Sequence, residues 1–196
     1  MEPVVSATEP DWSRESKRFF EWAPSRSLLA SIRAYQRHAR QRGLFHKLLK
    51  RWAVARHRFW TIVTGAEIPI NTRIAGGLLI PHPNGIVVHP NVVVGPNCLV
   101  FQQVTLGANN SGVPIIGGHV DIGAGAKVLG PITVGSNVQI GANAVVVSNL
   151  PDGVTAVGIQ PTGNKRDYYY ETAISIVRRP QPPECDGHNI HSCQMA

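Results

Sequence analysis

Two side chains in the first half of the chain could together move a proton. His82 lies in the segment LLIPHPNGIVVHP, and Glu67 lies fifteen residues before it. Histidine changes its charge near neutral pH, so it can accept a proton from a hydroxyl group, and a neighbouring carboxylate can orient the ring and stabilise its protonated form. The same two residues also fit a solvent-facing histidine and an ordinary surface acid. The spacing alone leaves both interpretations open.

Other reactive residues match known kinds of site less well. His82, His89 and His119 could supply three zinc ligands, but they lack the two ligands five residues apart that zinc sites of β-helix carbonic anhydrases use, so we expect no metal. Four Cys and His residues within 185–193 are not spaced as in a zinc finger, and the Pro-rich composition there favours a disordered tail. The chain contains no G-x-x-x-x-G-K-[ST] phosphate loop and no G-x-S-x-G nucleophile motif.

A six-residue repeat defines the part of the chain that must position His82 and Glu67. Aliphatic residues recur at every sixth position, namely Ile116, Ile122, Val128, Val134, Ile140 and Val146. Small or β-branched residues follow four places later, and glycine follows directly in four of the six repeats. A period of six fits neither an α-helix nor a long alternating strand. It predicts a parallel β-helix, in which very short strands form flat sides and Gly or Asn turns the corners.

The same repeat continues upstream in two shifted frames. Ile68, Ile74, Ile80 and Ile86 form one run, and Val94, Val100 and Leu106 form the next. The step of eight between these runs predicts two inserted residues around His89 and Pro90, and the step of ten after Leu106 predicts a loop, GANNSGVPI. With three sides to a turn, residues 67–150 supply about four to five turns. Glu67 and His82 are then separated by nearly one turn.

A basic segment precedes the repeat. The 196-residue chain has a net charge of +7, 13 of its 19 Lys and Arg residues lie between Arg14 and Arg58, and no acid occurs between Trp22 and Ala66. We predict an N-terminal extension (1–24, flexible), a basic helical segment (25–65) with two amphipathic helices, the β-helix domain (66–160) and a tail (161–196). Helices that pack on the coil or on another subunit fit this charge, and so does peripheral association with an anionic membrane. Nucleic acid is not expected, because no nucleic-acid-binding motif occurs.

Targeting signals and cysteine number bear on the expected cellular location of the protein. No run of eighteen apolar residues occurs, the N-terminus lacks the order of a secretory signal, and three cysteines do not make a disulfide framework. We therefore expect a cytoplasmic protein, with the inner face of the membrane as a further option.

Two segments carry a resemblance to a known family. They are GAEIPINTRIAGGLLIPHPNGIVVHPNVVVGPNCLVFQQVTLG and, after the loop, HVDIGAGAKVLGPITVGSNVQIGANAVVVSNLPDGVTAVGI. Roughly residues 58–159 resemble the hexapeptide-repeat acyltransferases and are similar to their serine O-acetyltransferase branch. The resemblance implies a left-handed parallel β-helix of the mainly β class with an α-helical lead-in, a homotrimer, and acetyl-CoA as co-substrate.

The resemblance also implies roles for particular residues. His82 stands where the family has its general base, and Glu67 stands where an Asp pairs with that base. The positions whose backbone would hold the CoA arm are Gly107, Ala108, Ala124 and Ala142. Small residues suit such positions, because the pantetheine chain approaches the backbone closely. On charge alone, Lys165 or Arg166 could meet a CoA phosphate.

Some positions depart from the serine branch. Pro81 precedes His82 where an Asp is expected, and Gly112 and Val113 occupy the place of an Arg-His pair that helps to bind the amino-acid acceptor. The helical lead-in is short, and Ala196 replaces the Ile that docks into cysteine synthase, so neither a dimer of trimers nor that partner is implied. Small members of the branch that acetylate exopolysaccharide sugars, including a colanic-acid type, share the short helical lead-in and the loss of the loop His.

The expected activity is transfer of an acetyl group from acetyl-CoA to a hydroxyl. L-serine, with O-acetyl-L-serine as the product for cysteine biosynthesis, is the leading acceptor. A hydroxyl of an exopolysaccharide sugar or its lipid-linked precursor is the alternative. From other classes, a non-catalytic β-helix scaffold would bind no acetyl-CoA, and a metal-dependent hydratase would need bound zinc.

Overall fold

Two helices lead into a coil of short strands. The computed structural model describes residues 5–18, 21–39, 41–158 and 175–178. A 3₁₀ turn, Trp12–Glu15, precedes helices α1 (Pro24–Ala39) and α2 (Leu44–Thr64). Gly65, in the left-handed conformation with φ of 64°, ends α2 as expected for a helix C-terminus. No helix among the described residues has both the length and the apolar character needed to cross a membrane.

The coil has three flat sides, each a parallel sheet of two- to four-residue strands. Sheet A contains β2 (Val87–Val88), β5 (Thr105–Gly107), β8 (Lys127–Leu129) and β11 (Val145–Val146). Sheet B contains β1 (Arg73–Ile74), β3 (Val93–Val94), β6 (Ile115–Ile116) and β9 (Thr133–Val134). Sheet C contains β4 (Leu99–Val100), β7 (Asp121–Ile122), β10 (Gln139–Ile140) and β12 (Val154–Val157), with β13 (Ser175–Arg178) antiparallel to β12. This confirms the predicted parallel β-helix, which has about five turns.

The repeat positions fill the interior as the sequence predicts. Each aliphatic repeat residue and the small or branched residue two places before it point inward, as with Val120 and Ile122, which are both fully buried. Residues between these pairs form the corners, which we name AB, BC and CA after the sheets that they join. The core is therefore one continuous apolar column inside the coil.

The position of the two-residue insertion differs from the prediction. Glu67 pairs with Val87, twenty residues on, whereas Val87 pairs with Thr105, eighteen residues on. Val88, rather than Ile86, is therefore the repeat position, and the two extra residues lie in the CA corner that contains His82. The prediction that the two inserted residues lie around His89 and Pro90 was wrong. Ile86 and Val88 are both aliphatic and both buried, so the sequence pattern is compatible with either residue as the repeat position.

The corners make two different demands on their residues. One corner position is left-handed and is filled by residues that tolerate it, including Asn97 (φ 59°) and Asn137 (φ 58°). The glycine directly after the repeat residue meets a different demand, because the next turn lies against it. A Cβ built on Gly117 would lie 2.7 Å from the backbone of Gly135. Successive turns are thus packed backbone to backbone at this point.

The described part of the predicted N-terminal extension lies along the BC corner. The Asn97 side chain accepts a hydrogen bond from Asp11 N (2.8 Å) and donates to the carbonyls of Ser6 and Glu9 (both 2.7 Å). The Glu15 carboxylate accepts hydrogen bonds from Leu78 N (3.1 Å) and from Arg33 of α1 (2.7 Å). These contacts tie residues 5–18 to both the coil and the helices.

Candidate active site

The CA corner presents His82 to solvent. Gly85 N donates to the Gly65 carbonyl (2.9 Å), and Gln103 N donates to the Asn84 carbonyl (3.0 Å). The corner is therefore fixed between the turn before it and the turn after it. Its extra length lies at residues 81–85, where His82 is exposed. The structure thus gives this histidine a firmly held backbone and an accessible side chain.

Glu67 occupies the first position of sheet A, beside this corner. Its N–H donates to the Ile86 carbonyl (2.7 Å), and its carbonyl accepts from Val88 N (2.9 Å). Its side chain is exposed and points outward, because its neighbours Ala66 and Ile68 are buried. Glu67 follows Gly65 by two residues, so it and His82 flank the same end of the coil. Among the described residues no hydrogen bond or ion pair joins the two side chains, and their pairing stays a prediction.

Lys127 adds a cation to the CA corner that sequence reasoning did not identify. Its Nζ donates to the carbonyls of Gln103 (2.9 Å) and Gly125 (3.0 Å), which belong to successive turns. The ammonium group has three donors, so one remains for a bound molecule. The Oε1 atom of Gln102, in the same corner, is buried and has no hydrogen-bond partner among the described residues. In the six-residue repeat, Lys127 directly precedes inward-facing Val128. Because neighbouring residues of a strand point to opposite sides, the repeat alone indicates that the Lys127 side chain faces outward.

The four residues expected to contact CoA fall into two groups. Ala124 and Ala142 lie in successive turns of the CA corner, where Asn143 N donates to the Ala124 carbonyl (2.8 Å). Gly107 ends β5 and Ala108 follows it, at the AB corner on the other edge of sheet A. None of these four carries a long side chain, which leaves the backbone of both edges open to an extended ligand. Within one chain, sheet A separates the two groups.

The three coil histidines occupy three different corners. His82 is at CA, His89 is at AB, where Asn91 N donates to its Nδ1 (3.2 Å), and His119 is at BC, where its Nδ1 lies 2.9 Å from Asn137 Oδ1. Side chains at three different corners of the coil cannot coordinate the same metal ion. Within the described residues no group of three His, Cys, Asp or Glu side chains is placed to hold a metal.

The predicted loop at the AB corner is a tight turn. Asn109 and Gly112 exchange backbone hydrogen bonds (3.0 and 3.3 Å), and Asn109 Oδ1 accepts from Ser111 N (2.8 Å). Gly112 and Val113, at the place of the expected Arg-His pair, bring no charge to this loop. Lys165, Arg166, Cys185, His188, His191 and Cys193 lie outside the described residues.

The described cysteine is not a nucleophile. Cys98 is fully buried in the core, and its burial raises the pKa of the thiol to about 11. A thiol with this pKa stays protonated at neutral pH and is out of reach of a substrate. Among the described residues, the candidate site therefore has an exposed imidazole, His82, and no accessible thiol that could carry an acyl group.

Comparison with known proteins places this arrangement in a class. No family-wide sequence profile matches the chain. A serine acetyltransferase of Staphylococcus epidermidis is 40% identical over 154 residues, which are 73% of this chain and 72% of that protein. A serine acetyltransferase of Synechococcus elongatus is 44% identical over 102 residues, 50% of this chain and 42% of that protein. The chain thus spans about half the length of some curated relatives that it matches.

Solved structures agree with the sequence matches. A serine acetyltransferase in complex with CoA superposes with a TM-score of 0.60 at 29% identity, covering 80% of this chain and 58% of that one. The Neisseria gonorrhoeae serine acetyltransferase in complex with serine gives 0.59 at 33% identity, covering 71% and 57%. Fold and repeat pattern define a β-helix of the hexapeptide-repeat acyltransferase class. The length and identity of the sequence matches show in addition that the chain belongs to the serine acetyltransferase family.

Proposed function

We propose that the protein transfers the acetyl group of acetyl-CoA to the hydroxyl of L-serine. Membership of the serine acetyltransferase family supports the reaction, and relatives solved with CoA and with serine support the two substrates. The observation that carries the proposal is the lengthened CA corner, which exposes His82 at the end of the coil where Glu67 begins sheet A. An exposed histidine at this position supports the general-base role that the family resemblance implies for His82.

The proposed mechanism is a direct transfer. His82 removes the proton of the serine hydroxyl while the oxygen attacks the thioester carbonyl carbon. The carbon–sulfur bond then breaks, and the proton passes from His82 to the departing CoA sulfur. Glu67 acts as a positioning residue that orients the ring and favours its charged form. Backbone N–H groups near the site stabilise the developing oxyanion.

Acetyl-CoA would be held between two copies of the chain in a homotrimer. The small residues Ala124 and Ala142 of one copy would face Gly107 and Ala108 of the next, because sheet A keeps these pairs apart within one chain. Outward-facing Val87 and Val145 give sheet A an apolar surface suited to such contact. Analytical ultracentrifugation should give three times the chain mass, and a monomer that binds acetyl-CoA would contradict this arrangement.

A hydroxyl of an exopolysaccharide sugar is the second candidate acceptor. The observation in its favour is the tight AB loop, where Gly112 and Val113 supply no charge for an amino-acid carboxylate or ammonium group. A neutral sugar would not need one. Peripheral positioning near the membrane would suit a lipid-linked precursor.

The acceptor is tested by identifying the acetylated product. Purified full-length protein is incubated with acetyl-CoA and either L-serine or neutral hexoses, and products are measured by mass spectrometry. We expect O-acetyl-L-serine, with no product when acetyl-CoA is omitted. Acetylated hexose as the only product would show that the acceptor is a sugar and not serine. Failure to bind acetyl-CoA would indicate a non-catalytic scaffold.

A further inference from the structure

Helix α2 carries an apolar stripe that the rest of the described chain does not cover. Its large side chains are 56–84% exposed. The stripe consists of Leu44, Leu48, Trp52, Phe59 and Ile62. These residues are separated by three, four or seven positions, so they share one side of the helix. Five large apolar side chains exposed along one helix need a partner.

The stripe faces away from the coil. The opposite side of α2 is the one that packs, through buried Ala53, His57 and Thr64. The His57 Nε2–H donates to the Ile68 carbonyl (2.8 Å) and so links this side directly to the start of the coil. At 100° per residue these three positions lie more than 100° around the helix from the centre of the stripe. The coil cannot cover both sides of α2.

Basic side chains border the stripe. Lys47, Arg51 and Arg58 are exposed beside it, and no acid occurs between Trp22 and Ala66. A helix with Trp, Phe and Leu on one side and Lys and Arg next to them has the features of helices that lie in the surface of an anionic bilayer.

From this geometry we propose that α2 docks on an anionic membrane surface, with the stripe in the acyl boundary and the basic residues at lipid phosphates. Pairing of the stripe with the same stripe of a second copy is less favourable. Pairing two stripes would bring two sets of Lys47, Arg51 and Arg58 together with no acid on either α2 to offset them. Nucleic acid would use the cations but not the stripe.

Vesicle binding by the full chain tests the proposal. We expect the wild-type protein to co-sediment with vesicles of equal phosphatidylglycerol and phosphatidylcholine, and at least tenfold more weakly with phosphatidylcholine alone. Leu48→Ser with Phe59→Ser should lower the partition coefficient at least tenfold, because it removes two of the apolar side chains that would enter the bilayer. Lys47→Gln with Arg58→Gln should lower it about fivefold per charge. Val147→Ser, an exposed apolar change on the coil, is the matched control and should bind like the wild type.

Two results would overturn the proposal. One is wild-type binding that does not prefer anionic vesicles or that survives the change at Leu48 and Phe59. The other is a fall in molar mass, measured by light scattering, in that double variant without vesicles, which would show that the stripe joins copies of this chain. Unchanged thermal unfolding of the double variant should confirm that it remains folded.

Discussion

At the scale of single residues, the corner around His82 combines a firmly held backbone with an exposed side chain. Pro81 and Pro83 restrict φ on either side of the histidine, and hydrogen bonds at Gly85 and Asn84 hold the corner to both neighbouring turns. A catalytic base benefits from this arrangement, since it must keep its place while substrates enter and leave.

Glu67→Gln tests whether the carboxylate acts through His82. The amide keeps the shape of the side chain but cannot balance a charged imidazole, so we expect kcat to fall about tenfold while KM for acetyl-CoA changes little. Glu67→Asp should keep most of the activity. Steady-state rates across pH 6–9 measure both variants, and a Gln variant within twofold of the wild type throughout would remove Glu67 from the mechanism.

Part of the candidate site could be predicted from residues alone. The fifteen-residue spacing of Glu67 and His82 placed them at one end of the coil, because the turn length was readable from the repeat. The contacts of Lys127 could not be predicted, since its partners are backbone carbonyls of Gln103 and Gly125. A carbonyl acceptor has no signature in the sequence, and the first of these lies 24 residues away.

At the scale of elements, the fold depends on how closely successive turns approach. Gly117→Ala would place a Cβ 2.7 Å from the backbone of Gly135, whereas in Gly141→Ala the nearest atom would be 3.5 Å away. Both glycines occupy the same place in the repeat. We expect the first change to cost about 1–3 kcal/mol of unfolding free energy and the second less than about 0.5 kcal/mol. Urea unfolding measures both, and equal costs would contradict this packing account.

The contact between α2 and the coil should make stability depend on pH. Burial lowers the pKa of His57 below its ordinary value of 6.5, against a smaller opposing effect of its hydrogen bond to Ile68. The unfolded chain therefore binds this proton more readily, and the unfolding free energy falls as pH drops through about 6.5. His57→Gln should show a shallower loss between pH 7.5 and 5.5 in thermal melts. A slope equal to that of the wild type would contradict this role for His57.

Periodicity predicted the elements better than it predicted their partners. The six-residue period correctly placed the interior of the coil, because each aliphatic position has only one way to face inward. Period alone did not identify the packing side of α2, where small Ala53 and polar His57 are buried and Trp52 faces solvent. Apolar periodicity shows that a helix has two sides, and only the neighbouring structure decides which one is buried.

At the scale of the whole molecule, three separate parts of the chain meet around the start of the coil. Arg33 of α1 donates to the carbonyls of Ile74 and Ala75 (both 2.6 Å) and pairs with Glu15 (2.7 Å), whose carboxylate also accepts from Leu78 N. This network holds α1 against the start of the coil, and Leu28, Leu29 and Ile32 of α1 join the buried apolar core there. The contact between Glu15 and Leu78 joins residues 63 positions apart, and no local sequence pattern predicts it.

Oligomerisation and membrane docking concern different surfaces of this molecule. The proposed acetyl-CoA groove uses the edges of sheet A, whereas the stripe lies on α2 and faces away from the coil. Both can therefore operate together, and loss of vesicle binding in a stripe variant should leave acetyl transfer to a soluble acceptor intact.

The most direct test of the account is the rate of CoA thiol release with L-serine for three proteins: wild type, His82→Ala and His119→Asn. His119 is the matched control, because it is also a corner histidine and Asn suits its left-handed backbone (φ 52°). We predict serine-dependent release that falls about 10²–10⁴-fold in His82→Ala, with CoA binding retained, and stays within twofold in His119→Asn. Release by His82→Ala within twofold of the wild type would contradict His82 as the base.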